Sequence, residues 1–167
     1  GPELLVKIAQ YEYDAEIVVL ANQLVLNDAA KALSMPLQLI PIEWQQQPER
    51  HRKGQLRFEN VELAVPAVVG KLQAKNSPAI VNMLSRAGEL ALNKTVHAIV
   101  TAPVHKAILN QFNPQFLGHT EFFAEQAKVA KVVMMLATNQ LRMALATTHI
   151  PLSQVTETIT EDLISQI

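Results

Sequence analysis

His97-Ala98-Ile99-Val100-Thr101-Ala102-Pro103-Val104-His105-Lys106 is the stretch on which the fold turns. Its first half is apolar and reads as a buried strand over 96–101. Its second half breaks at Pro103 and opens a short helix that runs to about Gln111, beginning with two ionisable groups, His105 and Lys106. Open α/β sheets hold their ligands where strands end and helices begin. Two later stretches repeat the design. Phe116-Leu-Gly-His-Thr-Glu-Phe-Phe123 opens a helix over 121–128, with Thr120 as its N-cap and His119 beside it. Ala146-Thr-Thr-His-Ile-Pro-Leu152 follows another apolar run and carries His149.

Upstream of the first stretch, 77–92 reads as the best helix of the chain. Asn76 or Ser77 caps it and Pro78 sits early, where a missing N–H is harmless. Ile80, Val81, Leu84, Ala87, Gly88 and Ala91 form one apolar stripe at helical period. Gly88 costs about 1 kcal/mol against alanine in a helix, so a close neighbour is expected over it. Further back, Leu5, Ile8 and Ala9 keep helical spacing behind Pro2. A strand is expected over 16–20, a helix over 22–33 and an edge strand over 37–42 that Pro41 limits. Residues 43–57 have no apolar period and read as a solvated loop, with His51 exposed and Trp44 a packing anchor or a partner contact. One short strand is expected at 59–63. Alternating strands and helices make the class α/β. Downstream, 132–137 and 143–146 flank Asn139-Gln140 and read as a β-hairpin that would make the sheet mixed, with Met134 and Met135 in the core. Thr160 caps a last helix whose first turn holds Glu161 and Asp162.

Composition excludes several classes. A net charge of −1 with scattered basic residues argues against a nucleic-acid partner. No apolar run reaches the ~20 residues of a membrane span. The chain has no cysteine, so disulfide frameworks and zinc-thiolate sites are excluded, and a reducing compartment fits. The candidate residues are less decisive by themselves. His119 and Thr120 at a helix N-terminus suit an anion, but local sequence favours plain capping by Thr120 with an incidental His119. His149 alone makes no metal site.

Taken together, the Pro-Val-His-Lys, Gly-His-Thr-Glu-Phe-Phe and Ala-Thr-Thr-His-Ile-Pro-Leu segments resemble the 4-hydroxythreonine-4-phosphate dehydrogenase family of pyridoxal phosphate biosynthesis. The resemblance takes in 131–138 and 141–145 as well. It implies a three-layer α/β/α fold with a mixed sheet, similar to isocitrate and isopropylmalate dehydrogenases. It also implies that 1–167 is a truncated N-terminal portion of a two-domain enzyme, lacking a first strand and the C-terminal half.

The reaction implied is NAD- or NADP-dependent oxidation of 4-phosphohydroxy-L-threonine to a β-keto acid. That acid decarboxylates to 3-amino-2-oxopropyl phosphate, and the fragment alone is expected to be inactive. Carried over residue by residue, His119 and Thr120 bind the substrate, and the two histidines 119 and 149 border one pocket. His149 is one ligand of a divalent metal (Zn, Mg or Co), the other ligands lying beyond Ile167. Neither catalytic nor cofactor-binding residues are assigned. The lack of a Gly-x-Gly-x-x-Gly fingerprint agrees with that family. A cytoplasmic homodimer is implied, with a small phosphorylated substrate as its ligand. Two alternatives stay open: a related dehydrogenase of four-carbon phosphorylated hydroxy acids such as threonate or erythronate phosphate, and a non-catalytic domain that binds phosphorylated metabolites.

Overall fold

The computed structural model describes residues 1–112 and 116–167, and it divides into two compact units, Gly1–Ala127 and Lys128–Ile167. The first unit opens with α1 (Pro2–Ile8), Pro2 occupying the first turn as expected. Strand β1 (Val18–Ala21) leads into α2 (Gln23–Leu33), followed by β2 (Gln38–Pro41) and β3 (Gln55–Asn60). All pairing among these strands is parallel, in the order β1-β3-β2. Strand β2 is therefore an edge, as Pro41 requires.

The central strand lies four residues before the one expected at 59–63. Charge hid it. Gln55-Leu-Arg-Phe-Glu-Asn60 alternates at period 2, and Leu56 and Phe58 are buried at 0% and 4% exposure. Both join Ala9, Val19 and Leu26 in one apolar cluster, which α1 and α2 cover from one face. The alternate residues face the other way. Arg57 pairs with Glu16 at 3.0 Å and Glu49 at 2.9 Å, and Glu59 reaches the helix on the opposite side. Helices thus flank this sheet on both faces, as the α/β class requires.

That opposite helix is α3 (Ser77–Leu92), preceded by a 3-10 turn at Ala74–Asn76. Asn76 stands at the N-cap, but its side chain is engaged elsewhere. Its Oδ1 accepts from Val65 N at 3.0 Å and its Nδ2 donates to Val65 O at 2.9 Å, pinning the irregular crossing before the helix. Arg86 on α3 makes a paired contact to Glu59, Nε to Oε1 at 2.9 Å and Nη2 to Oε2 at 3.1 Å. Trp44 Nε1 donates to the same carboxylate at 2.6 Å, and the guanidinium lies 5.8 Å from the indole ring centre. Trp44 is therefore a packing anchor.

Burial by itself would raise the Glu59 pKa. The hydrogen bonds from Arg86 and Trp44 and the Arg86 charge outweigh it, so the carboxyl titrates below its usual range. Because the folded pKa is the lower one, the stabilisation is complete above the unfolded value and is lost as pH falls through the folded value. Denaturation of the wild type is expected to become easier as pH drops below about 4.3, the ordinary glutamate value. In Glu59→Gln that part of the slope disappears. Parallel pH profiles for the two proteins would contradict the assignment.

Gly88 is explained by a neighbour, as expected. A methyl group there would overlap the carboxamide of Gln126, whose Nε2 donates to Ser85 O at 2.7 Å. Gly88→Val is expected to cost about 1–3 kcal/mol by urea denaturation. Wild-type stability would show that Gln126 swings clear at no cost.

The strand expected at 96–101 does not form. Residues 95–105 are in neither helix nor strand; His97 is exposed and Val100 is 97% exposed. A strand exists only through its ladder, and among the described residues nothing pairs with this segment. The apolar run marks a segment suited to burial without supplying the partner. His51 is the reverse case. Expected in solvent, it is 8% exposed. Its backbone N–H donates to Ala15 O at 2.9 Å, its segment bridges Tyr13, and the two rings lie 5.6 Å apart. Arg50 pairs with Asp14 at 2.9 Å beside it. The polar loop is thus tied to the segment before β1 at Tyr13 and Ala15, and to β3 through Trp44 and Glu49.

The second unit holds β4 (Met134–Ala137) and β5 (Arg142–Leu145), an antiparallel hairpin whose turn is closed by Thr138 N donating to Leu141 O at 2.7 Å. Parallel and antiparallel pairing both occur in the chain, in two separate sheets. Two helices follow, α6 (Leu152–Thr158) and α7 (Glu161–Ser165), the latter capped as expected by Thr160 Oγ1, which accepts from Leu163 N at 3.1 Å. Met134 and Met135 are 39% and 55% exposed, so the expected core placement is wrong. No residue of this unit is buried. A lone two-stranded hairpin is marginal in water. Amide hydrogen exchange in this chain is therefore expected to be orders of magnitude faster at 134–145 than at 55–60. Equal protection would overturn this.

Candidate functional site

The polar groups at the strand ends of the first unit are engaged with one another. Asn22 caps α2, its Oδ1 accepting from Leu24 N and Val25 N, while its Nδ2 donates to Val61 O at 3.0 Å. Asn60 Oδ1 accepts from Gln23 N at 2.9 Å. Unengaged chemistry lies further along, on α4 (Lys106–Leu109) and α5 (His119–Ala127). The connection between them lies partly outside the described residues, at 113–115.

An apolar cluster holds these helices in place. Leu84 of α3, Leu109 of α4 and Phe116 are buried together, with Val104, Phe122 and Phe123 packed around them. Ser77 adds a polar tie, its Oγ donating to Ile108 O at 3.2 Å. Phe116 meets the His119 ring edge-on, with centroids 6.3 Å apart, and Phe122 at 5.9 Å. The chain is thereby fixed where α5 begins.

The helix starts two residues earlier than expected. His119 is its first residue, and Phe122 N donates to Gly118 O at 3.1 Å. Thr120 therefore sits inside the first turn, exposed, and is not the N-cap. His119 is partly buried, and its Nε2 is fully shielded with no hydrogen-bond partner. A buried ring nitrogen without a partner is costly, and His51 Nε2 and Gln126 Oε1 are shielded and unpartnered in the same way. Asn110, at the end of α4, has a buried Oδ1 in the same state; no sequence signal marks it. His105 stands at the N-cap of α4 and is exposed.

Gly118 is buried and has no left-handed φ, so its backbone does not demand glycine. The missing side chain makes room instead. A Cβ there would stand 2.8 Å from Glu121 Oε2 and 3.4 Å from Lys106 Nζ. Two side chains of the protein itself border that space.

His149 belongs to the second unit. It is exposed and has a left-handed φ of 60°. That conformation is uncommon for a residue with a side chain, though histidine tolerates it better than most. His119 and His149 fall in different units. Among the described residues no three of His, Asp and Glu gather as a metal site, and no helix is long and apolar enough to cross a membrane.

Comparison with known proteins gives these features a context. The family described as "Pyridoxal phosphate biosynthetic protein PdxA" matches residues 12–167. The 4-hydroxythreonine-4-phosphate dehydrogenase of Enterobacter sp. (strain 638) is 43% identical over 167 residues, the whole of this chain and 51% of that protein. The protein of the same name from Shewanella frigidimarina (strain NCIMB 400) is 45% identical over the same span. Among solved structures, a 4-hydroxythreonine-4-phosphate dehydrogenase from Burkholderia phymatum superposes with a TM-score of 0.89 at 28% identity, covering 99% of this chain and 51% of that one. The chain spans about half the length of the curated relatives it matches.

Proposed function

We propose a function on a single ground: the chain belongs to the family of the pyridoxal phosphate biosynthetic protein PdxA. The protein carrying this chain oxidises 4-phosphohydroxy-L-threonine with NAD⁺ or NADP⁺, as a cytoplasmic homodimer. The hydroxyl-bearing carbon gives up a hydride to the nicotinamide and the hydroxyl its proton, leaving a β-keto acid. Loss of carbon dioxide then yields 3-amino-2-oxopropyl phosphate. The family match across 12–167 carries this reading. The shielded, unpartnered Nε2 of His119 supports it, because a substrate oxygen is the kind of group such an atom lacks.

The chain's own residues take limited roles. His119 and Thr120, on the first turn of α5, bind the substrate and orient it. Phe116 holds the imidazole and keeps water from one side of it. His149 is exposed and so free to serve as one ligand of a divalent cation; the described residues supply no complete set. When bound, that cation would polarise the oxygen being oxidised. No residue of this chain is assigned to the nicotinamide.

The test is reduction of NAD⁺ or NADP⁺ by the full-length protein with 4-phosphohydroxy-L-threonine and a divalent metal. Phosphorylated threonate and erythronate are run beside it. No reduction with either cofactor ends the proposal, and faster turnover of a phosphorylated hydroxy acid reassigns the substrate.

A further inference from the structure

We propose that one face of the β4–β5 hairpin, that of Met134, Leu136, Met143 and Leu145, is a docking surface. Its occupant is the C-terminal half of the full-length protein, packed on it within the same molecule.

The register sorts the hairpin into two unlike faces. Met134 stands opposite Leu145 and Leu136 opposite Met143, and residues opposite one another on an antiparallel pair share a face. The other face takes Met135, Ala137, Arg142 and Ala144. Large apolar side chains thus gather on one side, the alanines and the arginine on the other. On the apolar side Met134, Leu136 and Met143 are 39%, 59% and 48% exposed. The helices α6 and α7 leave every residue of this unit short of burial and expose Leu152 and Ile164 as well. Adjoining apolar side chains left in solvent mark a contact with another surface.

Length identifies the occupant. Curated relatives match along the whole of this chain but over only 51% of their own length, so a protein of their size holds about as much polypeptide again. A tethered segment meets the face at an effective concentration of about millimolar, whereas a second copy has to reach it from dilute solution. Apolar burial has no direction of its own, so the tethered partner takes the face. Methionine suits such a seat, because its flexible side chain fills irregular gaps. The relatives' length, not the reaction proposed above, picks this occupant.

The experiment is oxidation of the full-length protein by hydrogen peroxide, read at each methionine by mass spectrometry. Met134 and Met143 are expected to oxidise about tenfold or more slower than in the urea-unfolded protein, since oxidation follows exposure. That factor is expected to hold across about a hundredfold range of protein concentration, as a tethered cover requires. Oxidation at the unfolded rate shows the face bare and overturns the proposal. Protection that grows with protein concentration makes a second copy the occupant and overturns it too. Photo-leucine, which replaces leucine with little change of bulk, then identifies the cover. Leu136 is expected to cross-link to residues beyond Ile167 of the same molecule. Cross-links from Leu136 only within 1–167, or only between molecules, overturn the proposal. These readouts need no turnover, so an enzyme that reduces no cofactor refutes the proposed reaction alone.

Discussion

His119→Ala in the full-length protein is expected to lower kcat/KM about 10- to 100-fold, the worth of one buried hydrogen bond to a charged or developing group. The argument rests on one atom. Nε2 is shielded from solvent and has no partner, while the ring is held edge-on by Phe116. A ligand that supplied the missing partner would gain that hydrogen bond without the ring having to move. Deleting the ring also removes the aromatic contact, worth about 0.5–1.5 kcal/mol of stability. His119→Gln separates the two effects. Its amide reaches close to the Nε2 position, so it is expected to recover part of the activity without restoring the aromatic contact. If the alanine variant keeps wild-type kcat/KM, His119 is a packing residue and its assignment to substrate fails.

Phe58→Ala carries the largest expected cost in stability, about 3–5 kcal/mol. Phe58 lies on the central strand, opposite Val19 on one side and Pro41 on the other, and is 4% exposed. Its removal leaves a cavity between α1, α2 and the sheet that close-packed neighbours fill only in part. Domains of this size are stable by only about 5–15 kcal/mol, so the loss is a large fraction of the whole. Urea denaturation measures it as a lower midpoint at unchanged slope. A loss below about 1 kcal/mol would mean that the cluster of Ala9, Val19, Leu26, Leu56 and Phe58 is not the core that holds the sheet.

Much of the fold is legible along the chain because its signals are local. Pro2 in a first turn, Asn22 capping α2, the stripe on α3, the hairpin around Asn139-Gln140 and Thr160 capping α7 each depend on residues within a few positions of one another. The three motif segments are local too, and the family they resemble is the one that the comparisons identify.

Other features depend on residues far apart. Residues 96–101 have the apolar content of a strand, but a ladder needs a second segment, and no run of sequence contains one. Gln55–Asn60 has the alternation of a strand, but its charges read as solvated until Arg57 and Glu59 meet Glu16, Glu49 and Arg86. His51 is buried because Tyr13 and Ala15 dock against it from 36 or more positions away in the chain. Periodicity and capping are written in the chain because they act over one or two turns. Burial, pairing and the placement of a charge are set by which distant segments the folded core brings into contact, so they exist only in three dimensions.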